Sequence, residues 1–188
     1  MTESEGVIKY HLDYCVALAQ PVSGFAELNA WRSLLWRLGL IGQDPLRYGG
    51  LGYGNISLRL DDGGFLVTGT QTGHLPHLSL DHYVKVLEAR PGDNYLQAEG
   101  PLAPSSEALT HAAVYSASNS VDCVAHGHSP EIWRCAVALK LPTVMADIAY
   151  GTPEMAAAVS HLVALGPQQG VIAMLGHEDG LLAYAATA

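Results

Sequence analysis

Three histidines stand at positions whose spacing suits a metal site. His126 and His128 are separated by one glycine at the end of a predicted strand over 121–126. Residues two apart on a strand point to the same face, so both imidazoles can reach one ion. A catalytic zinc takes about three protein ligands, and His177, in a tight turn between two short apolar segments, is the candidate third. A surface or capping pair remains the alternative interpretation of the His-x-His pattern.

Glu107 is the acid whose position suits proton transfer, because its predicted helix over 104–116 leads into the histidine strand. The alternative is an acid that only complements the positive end of the helix dipole. His111 lies four residues on, on the same helical face, either as a partner of the metal site or as a surface histidine. The other clustered histidines are interpreted as polar loop residues: His74, His77 and His82.

The elements that must position these residues alternate between helix and strand. Apolar residues spaced by three and four predict a helix over 24–38, and alternation predicts strands over 56–60 and 65–68 joined by a hairpin at 61–64. The remaining predicted elements are helices over 10–20, 129–141 and 152–166, strands over 83–87, 171–175 and 181–184, and an extended segment over 143–148. Because hairpins join antiparallel strands, we predict an α/β layered sandwich whose sheet is not purely parallel.

Composition limits the partners. The chain has 188 residues, of which 49% are hydrophobic and 14% charged, so we predict one domain over 1–188 and no extensive disorder. The net charge of −9 argues against binding to nucleic acid or to an anionic membrane surface. Three scattered cysteines, an acidic start without a secretory pattern and the lack of an unbroken apolar span predict a cytoplasmic protein with no membrane segment.

Five motifs occur in an order that resembles the class II aldolase/adducin family, over about residues 25–185. They are Gly54–Arg59, Thr68–Thr70, Pro104–Glu107 with His111, His126–His128 and Gly176–Gly180. The resemblance implies a three-layer α/β/α sandwich around a largely antiparallel central sheet.

The resemblance also implies a divalent ion held by three histidines, which fall on His126, His128 and His177. Zn²⁺ is the expected ion, with Mn²⁺ or Co²⁺ as alternatives. The ion would bind the carbonyl and hydroxyl oxygens of the substrate and stabilise an enediolate. The family's general acid/base is the glutamate after the paired serines, and it falls on Glu107.

A phosphate-binding set follows from the same resemblance. In the sugar-phosphate members, a Gly-Asn turn, a threonine-rich loop and two serines hold a phosphate, and these positions fall on Asn55, Thr70, Ser105 and Ser106. Serines at a helix N-terminus also present donors where the helix dipole attracts an anion. The alternative is that Ser105 is only a helix cap and Thr70 only a loop residue. Gln71 stands where the aldolases and epimerases usually have glycine, so its amide is expected to shrink or alter the pocket.

Three functions compete on this scaffold. The leading one is a metal-dependent class II aldolase-like lyase acting on a small hydroxy-carbonyl compound, with or without a phosphate. The alternatives are a sugar-phosphate 4-epimerase or dehydratase, and a non-catalytic adducin-like binding module, a class in which the metal histidines are missing. The resemblance and the apolar composition also predict a homo-oligomer, a tetramer.

Overall fold

A computed structural model describes residues 7–188 of the protein. Within them the chain alternates between short strands and four α-helices. The strands are β1 (His11–Val16), β2 (Gly42–Gln43), β3 (Gly52–Tyr53), β4 (Asn55–Arg59), β5 (Phe65–Thr68), β6 (Tyr83–Arg90), β7 (Tyr95–Gly100), β8 (Cys123–His128), β9 (Thr143–Val144), β10 (Gly170–Met174) and β11 (Gly180–Ala185). The helices are α1 (Phe25–Arg37), α2 (Ala108–Ala117), α3 (Pro130–Arg134) and α4 (Pro153–Leu165). The predicted α/β class is confirmed.

Nine strands form one mixed sheet in the order β1-β7-β6-β5-β4-β8-β11-β10-β9. The pairs at its two edges, β1 with β7 and β10 with β9, are parallel, and the pairs between them are antiparallel. Strands β2 and β3 form a separate antiparallel pair. Strands β4, β8 and β11 lie next to one another in the middle of the sheet, and β8 carries the His-x-His pair.

Apolar side chains on the two faces of the sheet belong to different clusters. Leu66 of β5 packs in a cluster with Leu28 of α1. Its neighbours Phe65 and Val67 belong to the cluster that contains the buried residues of α2 and α4. Since successive strand residues point to opposite faces, α1 lies on one side of the sheet, and α2 and α4 lie on the other.

The helix predicted over 10–20 is wrong, because residues 11–16 form the edge strand β1. Its backbone groups pair in parallel with β7, from His11 opposite Tyr95 to Val16 opposite Gly100. Strand β7 was itself missed, since its buried positions include only Leu96, the small Ala98 and Gly100. The hydrogen bonds that make β1 a strand therefore come from a partner that local sequence does not reveal.

The helix-start signals at Ser129 and Thr152 were correct, whereas the helix predicted to start at 104 begins at Ala108. The Ser129 hydroxyl accepts a hydrogen bond from the Ile132 N–H at 3.3 Å, and the Thr152 hydroxyl accepts one from the Met155 N–H at 3.2 Å, as N-caps do. Helix α4 ends where it was predicted to end. Helix α3, in contrast, ends at Arg134, and the segment predicted to be extended over 143–148 contributes only β9.

No helix in the described part of the chain, residues 7–188, is long and apolar enough to cross a bilayer. The acidic start, from which the absence of a secretory signal was predicted, lies outside the described residues.

Candidate active site

Strand β8 and the turn after β10 bring three buried histidines together. The Nε2 atoms of His126 and His128 lie 3.0 Å apart. His177 is held in a tight turn, in which its N–H donates to the Met174 carbonyl and its own carbonyl accepts from the Gly180 N–H, both at 2.9 Å. One ring nitrogen from each histidine lies within 4.8 Å of the others. The predicted clustering of the three histidines is confirmed.

The cluster fits a divalent ion in chemistry and in spacing. A tetrahedral zinc with Zn–N bonds near 2.05 Å needs ligand nitrogens about 3.3 Å apart, close to the observed spacing of His126 and His128. The His126 Nδ1 lies 2.9 Å from the Leu181 carbonyl oxygen of β11, so that nitrogen is the N–H donor and Nε2 is left for a metal. No other group of three described metal-ligating side chains comes together in residues 7–188.

Burial also favours the metal-binding form of the cluster. The pKa of His128 lies well below its ordinary value, first because burial disfavours the charged form. Repulsion from His126 and His177 when these are protonated, and from Arg47, lowers that pKa further. A neutral imidazole is the form that ligates a metal ion, so the surroundings prepare His128 for that role.

Three tyrosine side chains pack against the histidine cluster. The rings of Tyr48 and Tyr53 pack against His128, with centroids 4.6 and 5.3 Å away. Tyr150 stacks on His177 with centroids 4.4 Å apart and planes 21° apart. Tyr48 directly precedes the glycine-dense segment at 49–54, and Tyr53 lies within it.

An ion pair fixes the segment that carries Tyr48. The Arg47 Nη2 donates to the Asp179 Oδ2 at 2.9 Å and contacts the Tyr48 hydroxyl, which donates to the same carboxylate oxygen at 2.7 Å. Asp179 is buried, and it follows His177 by two residues. Neither Arg47 nor Asp179 was singled out from the sequence, because they lie far apart in the chain.

Glu107 is the N-cap of α2 rather than a residue one turn into the helix, as the sequence had suggested. Its side chain is only 1% exposed, and its Oε2 accepts a hydrogen bond from the Thr110 hydroxyl at 2.7 Å. The pKa of Tyr10 is raised by burial and by the nearby Glu107 carboxylate. This burial argues against the interpretation of Glu107 as a surface acid that only complements the helix dipole.

His111 lies in the core and is not a surface histidine. Its Nδ1 is 2.7 Å from the Ser57 hydroxyl, which is in turn 2.7 Å from the Tyr115 hydroxyl. Burial and the nearby positive charge of His126 lower the pKa of His111 to about 3. His111 is therefore a neutral imidazole near His126, held in a buried chain of polar side chains.

The predicted anion-binding residues line one small pocket, with a cavity volume of about 20 Å³. They are Asn55, Thr70, Gln71, Ser105 and Ser106, with Gly52, Gly54, Gly69, Thr72 and Gly73 completing the wall. We call this pocket the polar cradle. It adjoins the histidine cluster, because Asn55 is paired directly with His126 across β4 and β8. Glu107 directly follows the cradle residue Ser106 in the chain.

Gln71 is part of the cradle wall and adopts a left-handed backbone conformation, with φ of 56°. Its Oε1 accepts a hydrogen bond from the Gly52 N–H at 3.0 Å, so the amide ties two loops together across the pocket. Left-handed φ favours glycine over other residues, which agrees with the glycine that the aldolases usually have here.

Replacing Gln71 by Gly is expected to strengthen phosphate binding by about threefold to tenfold, the worth of one hydrogen bond, because the Gly52 N–H becomes available to the anion. Stability should change by less than about 1 kcal/mol, since relief of the left-handed strain offsets the lost hydrogen bond. Calorimetric titration with inorganic phosphate tests this, with the exposed Gln169→Gly as control. Unchanged phosphate affinity would mean that Gln71 only shapes the loop.

Comparison with known proteins decides the family. The sequence profile described as "Class II Aldolase and Adducin N-terminal domain" matches residues 46–187. The chain belongs to the class II aldolase and adducin family. Among curated proteins, it is 41% identical over 80 residues to a methylthioribulose-1-phosphate dehydratase of Gluconacetobacter diazotrophicus. That alignment covers 40% of this chain but only 34%, about a third, of the dehydratase.

Solved structures of the aldolase family share the fold. The L-fuculose-1-phosphate aldolase of Thermus thermophilus superposes with a TM-score of 0.63 at 19% identity, over 87% of this chain and 80% of that one. The protein YgbL of Klebsiella pneumoniae gives a TM-score of 0.62 at 18% identity, over 86% and 78% of the two chains. At these identities the likeness shows the fold, and the chemistry must be argued from this chain's own residues.

Proposed function

We propose that the protein is a metal-dependent lyase of the class II aldolase type, acting on a small hydroxy-carbonyl compound with an anionic end. One observation carries the proposal: a buried three-histidine cluster adjoins a cradle of neutral hydrogen-bond donors, and the buried Glu107 directly follows the cradle residue Ser106. A metal site beside an anion pocket is the arrangement needed to hold a short substrate by two points.

In this proposal His126, His128 and His177 hold the ion, with zinc as the first candidate and manganese or cobalt as alternatives. A bound ion would supply Lewis-acid stabilisation of negative charge on the substrate oxygens. The His126 ring is oriented by the Leu181 carbonyl, and Tyr150 and Tyr48 exclude water from the sides of His177 and His128.

Glu107 is proposed as the general acid/base. The Thr110 hydroxyl donates to its Oε2 and fixes the orientation of the carboxylate, so that it can take a proton beside the substrate carbonyl and return it. Asn55, Thr70, Ser105 and Ser106 are proposed to hold the anionic end through neutral donors, and this binding places the reacting carbon against Glu107. Such positioning supplies part of the rate enhancement by itself.

A dehydratase is the second candidate, favoured by the partial similarity to methylthioribulose-1-phosphate dehydratase. Removal of a proton beside a carbonyl begins both aldol addition, the reverse of cleavage, and loss of water, so the same Glu107 and the same three histidines suit either reaction. A 4-epimerase can use the same groups. A binding module without catalysis fits less well, because it has no use for three histidines buried together.

A substrate screen on metal-loaded protein tests the proposal. Ketose phosphates, including ribulose 1-phosphate and methylthioribulose 1-phosphate, and mixtures of dihydroxyacetone phosphate or pyruvate with lactaldehyde are incubated with the protein, and products are identified by mass spectrometry. Formation of a new aldehyde together with a ketone fragment identifies an aldolase. A product lighter by 18 mass units, the mass of one water, identifies a dehydratase. An isomeric sugar identifies an epimerase. Absence of any metal-dependent conversion across the screen contradicts the proposal.

We also propose that the chain is one three-layer α/β/α domain that works in the cytoplasm as a homotetramer. The outer face of α1 supports assembly, because Trp31, Leu34 and Leu38 follow one helical stripe and are 43%, 42% and 63% exposed. Light scattering at micromolar concentration is expected to give about four times the chain mass of 19.9 kDa. Leu34→Glu should shift that mass downwards, and a monomeric parent protein would contradict the proposal.

A further inference from the structure

The guanidinium of Arg47 lies beside two tyrosine rings that pack on the histidine cluster. It lies over the Tyr48 ring, 4.7 Å from the centroid, and 5.9 Å from the Tyr53 centroid. Both of these rings pack directly on His128. Asn55 of the cradle, in contrast, pairs with His126. Arg47 and the cradle are therefore associated with different histidines, His128 and His126, which lie about 6.6 Å apart along β8.

Arg47 is oriented in advance but is not saturated. Its Nη2 is held by Asp179 and Tyr48, whereas Nε and Nη1 make no hydrogen bond to the described residues. The side chain is 33% exposed, so a ligand from solvent can reach the remaining N–H groups. A guanidinium with one edge fixed and another edge open is suited to bind a carboxylate through two parallel hydrogen bonds.

We infer that Arg47 binds a carboxylate of the substrate, and that the substrate is therefore a hydroxy or oxo acid with a second anionic group, such as a phosphate, at its far end. This inference rests on the proposed function, because it takes the histidine cluster as the reacting centre and the cradle as the site of the far group. It adds a substrate class and a specificity-determining residue.

A purely structural reading of Arg47 makes a different prediction. If the residue serves only to tie the segment at 47–50 to the turn after His177, its replacement should weaken all ligands alike or lower stability. If it recognises a carboxylate, its replacement should affect only ligands that carry one. Two phosphorylated probes separate these cases: 3-phosphoglycerate has a carboxylate that glycerol 3-phosphate lacks.

The experiment measures the affinities of both probes for the metal-loaded protein by calorimetry. The parent protein is expected to prefer 3-phosphoglycerate by about tenfold to a hundredfold, the usual worth of charge-assisted hydrogen bonds. Arg47→Gln should reduce the preference to within about twofold, and Arg47→Lys, which keeps the charge without the paired donors, should retain part of it. Arg37→Gln, at an exposed position of α1, is the matched control and should keep the full preference.

The outcomes distinguish this inference from the proposed function. A parent protein with equal affinity for the two probes, including no measurable affinity for either, overturns the role of Arg47. The same holds for a preference that survives in Arg47→Gln, or for equal weakening of both probes in Arg47→Gln and Arg47→Lys. The cradle is tested separately, because binding of glycerol 3-phosphate that disappears in Ser106→Ala supports it whatever Arg47 does.

Discussion

Replacing Glu107 by Gln is expected to lower turnover by about a hundredfold to ten-thousandfold, the usual worth of a positioned proton transfer. The amide keeps the shape of the side chain and can still accept the Thr110 hydrogen bond, but it cannot carry the proton. Stability should fall by about 1 kcal/mol or less, the scale of a charge near a helix start. Steady-state kinetics on the substrate found in the screen, together with metal analysis and thermal unfolding, measure all three effects.

The control for this variant is Glu154→Gln, which removes an exposed acid from the first turn of α4. It changes the same dipole interaction without touching the candidate site, so its turnover should match that of the parent protein. A Glu107→Gln protein that retains both its metal and near-normal turnover would eliminate the general acid/base role and leave Glu107 as a buried cap.

The His126→Ala protein is expected to lose its metal. Two imidazoles and one water hold a divalent ion far less firmly than three imidazoles, so affinity should fall by at least about a hundredfold, more than the loss of an outer hydrogen-bonding partner costs. Turnover should fall with metal occupancy. Mass-spectrometric metal analysis after dialysis against a metal buffer gives the occupancy, and competition with a chromophoric chelator gives the affinity.

His161→Ala is the matched control, because His161 is exposed on α4 and is not a member of the histidine cluster. It should keep one metal per chain. Full occupancy in His126→Ala would refute the assignment of the three histidines, and equal loss in both variants would indicate adventitious binding to surface histidines.

The histidine cluster could be predicted because its two main members share one strand. The spacing of His126 and His128 fixes their common face without knowledge of the rest of the fold. His177 was placed by its turn and by the family resemblance, and Glu107 by the paired serines before it. Each of these residues carries its signal within a few neighbours.

The rest of the site depends on contacts between distant segments. Arg47 and Asp179 are ordinary charged residues in sequence, and their pairing exists only because the loop before β3 folds over the turn that follows β10. The sequence did not distinguish a surface position from a core position for His111. The polar partner that permits its burial, Ser57, lies on strand β4, far away in the chain. The error at β1 has the same origin, since its partner β7 lies far away in the chain.

The register between β4 and β8 has a consequence for refolding. Asn55 meets His126 across this pair, so the cradle and the histidines share a boundary only after two distant parts of the chain have closed a long loop. Hairpins such as β4 with β5 form from neighbouring residues, whereas closures of this length come later and more slowly. After dilution from denaturant, the recovery of ligand binding should therefore lag behind the recovery of the circular-dichroism signal of the strands. The pairing of β4 with β8 would be the rate-limiting step.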